Sequence, residues 1–266
     1  MTPSVDYHMH TPLCGHAQGE PREYVEHALK IGLKEIGFSD HAPLVSHRDP
    51  TITMDFDELP KYYAMIEEVQ KKYPQFTIKM GIEADFIPGY EQKTKEILAD
   101  YPYDYVIGSI HFIGKWGFDD PAQREGWQAH DINEVYRDYY ELLCQSAQSQ
   151  LFDIMAHVDL VKKFGHRPTE DMTPEIKKTA KVFKECGVAV EINSSGLRKP
   201  VAEMYPAKSA LQIYCDAGVP LTFGSDSHLP TDVGRDFDKA LAMARAVGYK
   251  EHLVFKRRKV ERKVKF

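Results

Sequence analysis

Short runs rich in β-branched and aromatic residues alternate along this chain with amphipathic segments of helical period. The strand-like runs are Val5–Thr11, Glu35–Asp40, Thr77–Phe86, Tyr105–Phe112, Phe152–Leu160, Val188–Asn193 and Leu221–Ser225. The intervening periodicity predicts helices over Glu20–Ile31, Phe56–Lys72, Tyr90–Ala99, Asn133–Ser149, Pro174–Cys186, Ala207–Ala217 and Asp236–Val247. Thr173 before Pro174 reads as an N-cap followed by a first-turn proline. Gly32, Gly187 and Gly218 each follow a periodic segment and read as stops.

Strands alternating with helices call for parallel strands and crossover connections. Seven such units in one unbroken run predict a single α/β domain over residues 1–266, closed or nearly closed into a barrel. An open doubly wound sheet is the alternative. The first strand leads into Thr11-Pro12-Leu13-Cys14-Gly15-His16 instead of a glycine-rich turn, which argues against a dinucleotide-binding fold. The strongly basic end, from Phe255 to Phe266, is expected to be a solvated edge or a closing strand with a frayed end.

Composition narrows the functional classes. With 42% hydrophobic and 28% charged residues, the 266-residue chain can fill a sizeable core. A net charge of -6 offers no footprint for duplex nucleic acid. Cys14, Cys144, Cys186 and Cys215 are scattered and form no Cys-x-x-Cys pair, so reduced thiols and a cytoplasmic location are expected. No apolar run reaches membrane length, and no basic-then-apolar signal segment opens the chain, so a membrane partner is not expected. Oligomeric state is not encoded at this level.

The chemistry lies in where the histidines fall. In a barrel, reactive groups cluster at the carboxyl ends of the strands and in the loops after them. Seven of the 12 histidines sit there: His8 and His10, His16, His41, His111, His157 and His228. Carboxylates accompany them: Asp40 beside His41, Glu83 and Asp85 ending the third strand, and Asp226 two residues before His228. His8 and His10 leave the same face of a strand, as a two-residue spacing requires. One buried histidine is ordinary core, but seven at one end with carboxylates imply divalent metal. Imidazole and carboxylate donors without thiolate suit zinc, manganese or iron. Nine donors exceed one ion, so two or three ions sharing Glu83 are expected. His27, His47, His130, His166 and His252 are expected to be structural, although the loops of His47 and His130 could lie over the mouth.

Taken in order, His8-Met9-His10, Asp40-His41, Glu83 with His111, His157, and Asp226-Ser227-His228 resemble the motifs of the PHP (polymerase and histidinol phosphatase) superfamily of metal-dependent phosphoesterases. Ile192-Asn193-Ser194-Ser195-Gly196-Leu197-Arg198-Lys199-Pro200 and the overall length resemble its stand-alone histidinol-phosphate phosphatases. The resemblance implies a distorted seven-stranded β/α barrel with its metals at the C-terminal ends of the strands. It implies one ion on His8, His10, Glu83 and Asp226, and a second on Glu83, His111 and His157. A third would take His16, His41 and His228. Asp40 is expected to orient a neighbouring imidazole.

The implied reaction is hydrolysis of a small phosphate monoester, L-histidinol phosphate, in histidine biosynthesis. In-line attack by a metal-bound hydroxide, without a covalent phosphoenzyme, is expected, and the chain has no Cys-x5-Arg loop. Arg198 is the expected phosphate clamp, with Lys162 as a second candidate, and Asp85 is the expected acceptor for the substrate's amine or imidazole. The leaving group's proton is expected from Asp226 or His228 or, since both are assigned as metal ligands, from a metal-bound water. The competing readings are a nucleotide phosphatase, a single-strand exonuclease, a phosphotyrosine phosphatase, an amidohydrolase and a non-catalytic metal-binding accessory domain. An amidohydrolase would lack the Asp40-His41 and Glu83 motifs, and an accessory domain would be expected to have lost donors.

Overall fold

A computed structural model describes residues 3–266. Seven parallel strands carry the fold: β1 (Val5–Asp6), β2 (Glu35–Phe38), β3 (Thr77–Asp85), β4 (Tyr105–Ser109), β7 (Ile154–Met155), β8 (Ala189–Asn193) and β9 (Leu221–Gly224). A small antiparallel hairpin, β5 (Phe112–Ile113) and β6 (Trp116–Gly117), rises from the loop after β4. The sheet order is β1-β2-β3-β4-β7-β8-β9, and its two edges meet. The Tyr7 N–H donates to Phe223 O at 3.1 Å, and Met9 pairs with Ser227 further up. The barrel is therefore closed, and the open-sheet alternative is set aside.

Seven helices flank the strands: α1 (Pro21–Ile31), α2 (Leu59–Lys72), α3 (Glu91–Ala99), α4 (Ile132–Gln148), α5 (Thr173–Cys186), α6 (Lys208–Asp216) and α7 (Phe237–Val247). Gly32 and Gly187 end α1 and α5 in the left-handed conformation, with φ of 82° and 76°, as stop residues should. The start of α5 differs from expectation. Thr173 is its first helical residue, Met172 stands at the N-cap without a side-chain cap, and Asp171, one residue further back, accepts the Thr173 N–H at 2.9 Å. No helix among the described residues is long and apolar enough to cross a membrane.

Two strands are much shorter than their hydrophobic runs, and this distorts the barrel. Beyond Asp6 the backbone stays extended but is shared between neighbours: Met9 O accepts from Ser39 N at 2.9 Å, while His10 N donates to Ser227 O at 2.9 Å. The run that starts at Phe152 breaks at His157, where φ is 27°, and again at Asp159, where φ is 80°.

The basic tail is not frayed. β10 (Glu251–Lys256) and β11 (Lys259–Lys265) form an antiparallel hairpin that closes the amino-terminal end of the barrel. Leu253, Val254 and Phe255 plug the interior against Val5, Tyr7, Tyr105, Ile107, Ile154, Ala156 and Ala189. Arg257 and Arg258 turn the hairpin with φ of 48° and 60°. Arg258 holds this unfavourable turn by donating to Asp153 Oδ2 at 2.9 Å and to Leu151 O at 2.6 Å. Tyr105 spans the barrel interior, its hydroxyl donating to Tyr7 O at 2.7 Å. Gly37 and Gly81 make room for the ring, since a Cβ would lie 2.2 Å and 2.4 Å from its atoms. With one end plugged, the open end is left for chemistry.

Candidate metal centre

At the open end the strand ends aim their side chains at Glu83. Glu83 Oε2 lies 3.1 Å from His8 Nε2, 3.1 Å from His41 Nδ1 and 3.6 Å from His10 Nε2. Its other oxygen lies 3.1 Å from His157 Nε2 and 3.9 Å from His111 Nε2, and accepts from the Ser109 hydroxyl. Asp226 Oδ1 is 3.2 Å from His10 Nε2, 3.9 Å from His8 Nε2 and 3.5 Å from His228 Nδ1. His228 reaches His16 with Nε2 atoms 2.9 Å apart. All nine donors picked out in the sequence thus converge on one cluster.

The outer faces of the imidazoles explain their orientation. Carboxylates can only accept, so His8 Nδ1–H donates to Glu191 at 2.8 Å, His10 Nδ1–H to Asp40 at 3.3 Å and His111 Nδ1–H to Asp85 at 3.0 Å. His16 Nδ1 faces Cys14 O at 2.9 Å, and His228 Nδ1 faces Asp226 O at 3.2 Å. A proton fixed on Nδ1 leaves Nε2 as a lone pair pointing inward, which is how metal-binding histidines are arranged.

The centre fits cations on one further observation. Nε2 of His8 and His10 and Oε2 of Glu83 are buried and have no hydrogen-bond partner. Buried polar atoms left unsatisfied are costly, and a set of them aimed at a common point needs an ion. Among the donor sets whose ligand atoms lie within 4.8 Å of one another are His8 with His10 and Asp226, His8 with Glu83 and His157, and His10 with His41 and His228. Cys14 joins two further sets, one with His16 and His228 and one with His10 and Asp40. The first set and the His157–Glu83 pair follow the partition expected from the motifs, while His41 and His228 share their space with His10.

Charge is balanced locally. Burial works against ionisation of Glu83, but the charges of His8 and His41 and the hydrogen bond from His157 hold its carboxyl well below the usual range. Asp226 is likewise held down against burial, chiefly by His8, His10 and His228. Burial and the charge of His10 keep His228 well below its ordinary value. For His10, burial is outweighed by Asp226, Asp40 and Glu83, which push it up to about 9. Cations entering the centre therefore displace protons, and their binding depends on pH.

The expected substrate contacts need correction. Lys162 is 2% exposed, donates to Met204 O at 2.8 Å and is ion-paired with Asp159 Oδ2 at 2.9 Å and Glu203 Oε2 at 3.2 Å. Its charge is thus buried and matched away from the donor cluster. Arg198 donates to Ser225 O at 2.7 Å and lies 3.5 Å from Asp232, so it braces the loop carrying Asp226. Asp85 Oδ1 accepts from both the ring and the backbone N–H of His111, at 3.0 Å and 3.2 Å, so this carboxylate orients a donor of the cluster. Asp226, held ionised, has no proton to donate, and neutral His228 is a poor acid. Of the peripheral histidines, His47 packs edge-on against Phe112 and His130 stacks on Trp116, so both loops reach the hairpin that follows His111. His252 is buried at the plugged end.

Three residues that sit against the donor cluster or its neighbours were not singled out in the sequence. Glu191 is a buried carboxylate between Val190 and Ile192 in strand β8, and that incongruity was a usable signal. Lys199 is half-buried, and its pKa is lowered by burial, with Asp226, Lys163, Arg198 and Asp119 as its charged neighbours. Asp119, on the segment after the small hairpin, pairs with Lys163 at 2.9 Å and feels the charges of His111 and His157. Lys199 stands in the 192–200 segment, where Arg198 drew the phosphate role instead, and Asp119 carries no local sequence pattern.

Known proteins match over most of this length. The sequence signature of the PHP domain covers residues 6–195. A Deinococcus radiodurans protein named probable histidinol-phosphatase is 42% identical over 263 residues, 98% of this chain and 100% of that protein. The histidinol-phosphatase of Bacillus subtilis is 32% identical over 89% of this chain and 97% of its own. Among solved structures, the Lactococcus lactis histidinol phosphate phosphatase, crystallised with zinc, L-histidinol and phosphate, superposes with a TM-score of 0.84 at 23% identity, covering 97% of this chain and 99% of that one. With its motifs in order, its closed barrel and its converging donors, this chain belongs to the PHP domain family.

Proposed function

We propose that this protein is a metal-dependent phosphomonoesterase that hydrolyses L-histidinol phosphate to L-histidinol and phosphate. The observation that carries the chemistry is the group of buried, unpartnered donors around Glu83. The substrate is supported by the histidinol-phosphatase names of relatives that align over nearly the whole chain. In this reading His8, His10, Glu83 and Asp226 hold one ion, Glu83 with His111 and His157 a second, and His16, His41 and His228 a third. Zinc, manganese and iron all suit these donors.

Divalent ions held there acidify water and neutralise the phosphoryl oxygens. The protein's own part is placement. Glu83, central and ionised, fixes the spacing between the donor groups. Asp226 and His228 supply lone pairs in place of the proton first expected of them. Lys199 takes the phosphate role expected of Arg198 and Lys162, presenting a point charge beside Asp226. Asp119 replaces Asp85 as the acceptor for the substrate's ammonium or imidazole N–H, with one oxygen on Lys163 and the group near His111 and His157.

The test is phosphate release by zinc- or manganese-loaded protein from L-histidinol phosphate, nucleoside monophosphates and phosphotyrosine. The highest kcat/KM is expected on L-histidinol phosphate. A higher value on a nucleotide overturns the substrate, and no metal-dependent release from any ester overturns the chemistry.

A further inference from the structure

Strand β8 supplies none of the nine converging donors, yet its end and the turn after it are polar. Glu191, Asn193, Ser194 and Ser195 are all buried there. Burying a carboxylate in a strand whose neighbours are Val190 and Ile192 is costly unless every lone pair has work to do.

The lone pairs are accounted for. Glu191 Oε1 accepts His8 Nδ1–H at 2.8 Å. Glu191 Oε2 accepts the backbone N–H of His157 at 3.0 Å and the side-chain amide of Asn193 at 2.9 Å. Asn193 Oδ1 accepts Ser195 N–H at 2.9 Å, and the Ser195 hydroxyl donates to Asp226 Oδ2 at 3.0 Å. One continuous relay on β8 therefore touches donors that arrive from β1, from the break after β7 and from the loop after β9.

Two details show that the surroundings are built for it. A Cβ on Gly224 would lie 1.9 Å from Glu191 Oε1 and 2.6 Å from His8 Cβ, so the space between strands belongs to the carboxylate. His157 and Asp226, both held by the relay, have φ of 27° and 53°, a region that L side chains rarely adopt. Such backbone persists only where surrounding contacts over-determine it.

We propose that Glu191, Asn193 and Ser195 form a positioning relay that couples the ion held by His8 and Asp226 to the ion held by His157. This rests on the metal-centre reading above. Glu191 is a positioning residue: it fixes the His8 proton on Nδ1 and sets the backbone of His157, so it aligns two donor groups at once. Loading of the two ions is therefore cooperative, because ordering either end of the relay orders the other.

The test is titration of chelator-stripped protein with zinc, followed by metal analysis and calorimetry, on the wild type, Glu191→Gln and Ser195→Ala. A wild type that binds no zinc overturns the metal-centre reading itself. Given zinc binding by the wild type, Glu191→Gln is expected to weaken the two steps that load the His8–Asp226 and His157 ions by about 10–100-fold, to leave the third step near its wild-type affinity, and to flatten the loading curve. Ser195→Ala, which cuts only the branch to Asp226, is expected to weaken the His8–Asp226 step alone and to reduce the cooperativity less than Glu191→Gln does. A purely structural role would lower the melting temperature of the metal-free protein, so that is measured too. The proposal expects a small change there and a larger loss of the metal-induced rise. Glu191→Gln protein that loads zinc with wild-type affinity and steepness overturns the relay, as does a loss fully matched by the fall in metal-free stability.

Discussion

Replacing Glu83 by Gln probes the centre most directly. Glu83 lies 3.1 Å from His8 Nε2, His41 Nδ1 and His157 Nε2, so any cation shared among these nitrogens also meets its charge. Two unit charges about 4 Å apart interact by about 4 kcal/mol at an effective dielectric near 20. Losing that interaction corresponds to roughly a 10³-fold loss of affinity, and a divalent ion makes this a lower bound. The amide also places N–H groups where lone pairs are needed. The substitution keeps the volume of the side chain, so the barrel should remain folded, and circular dichroism of the metal-free variant checks this. Metal analysis after equilibration against a metal buffer should show at least one ion lost, and phosphatase turnover should fall to background. Wild-type metal affinity together with retained turnover in Glu83→Gln would refute a centre organised around this carboxylate.

Three further outcomes follow from the geometry. Lys199→Met should raise KM for the phosphate ester about 10–100-fold, the worth of one charge-assisted hydrogen bond, with bound metal unchanged; an unaltered KM would remove Lys199 from the substrate site. Lys162→Met should leave the Asp159 carboxylate buried without its cation and cost about 3–5 kcal/mol in urea unfolding. A raised KM at wild-type stability would instead return Lys162 to the substrate site. His252 is buried with its ring 3.0 Å from the Ser4 hydroxyl, and burial lowers its pKa from 6.5 to about 4. Protonation then favours the unfolded chain, so the stability it confers is whole above pH 6.5 and is lost as pH falls toward 4, by up to about 3 kcal/mol. His252→Asn should flatten that part of the urea-stability profile, and an unchanged profile would rule His252 out as its source.

The donor side of the centre was legible in the chain because it depends on local facts. A two-residue spacing puts His8 and His10 on one face of an extended segment, and barrel architecture puts strand-end residues at one mouth. The same locality made the helices and their glycine stops readable, since period and cap chemistry act within a few residues. Where strands were overextended, at Thr11 and Leu160, the apolar pattern continued although the ladder did not. Backbone geometry at His157 and Asp159 ended the strand, and composition does not encode it.

The sequence by itself determined the seven strand–helix units and which imidazoles and carboxylates share one end of the barrel. Tertiary structure decided which acceptor each of those groups meets. His8 and Glu191 are 183 residues apart, and Ser225 and the Asp6 carboxylate that takes its N–H are 219 apart. Lys162 looks like a phosphate ligand until Met204 and Glu203 close over it, and Arg258 looks like part of a frayed tail until Asp153 receives it. The physical reason is the same in each case. A donor type and its spacing are carried by a few neighbouring residues, whereas satisfying a buried charge depends on distant segments that become neighbours only when the barrel closes.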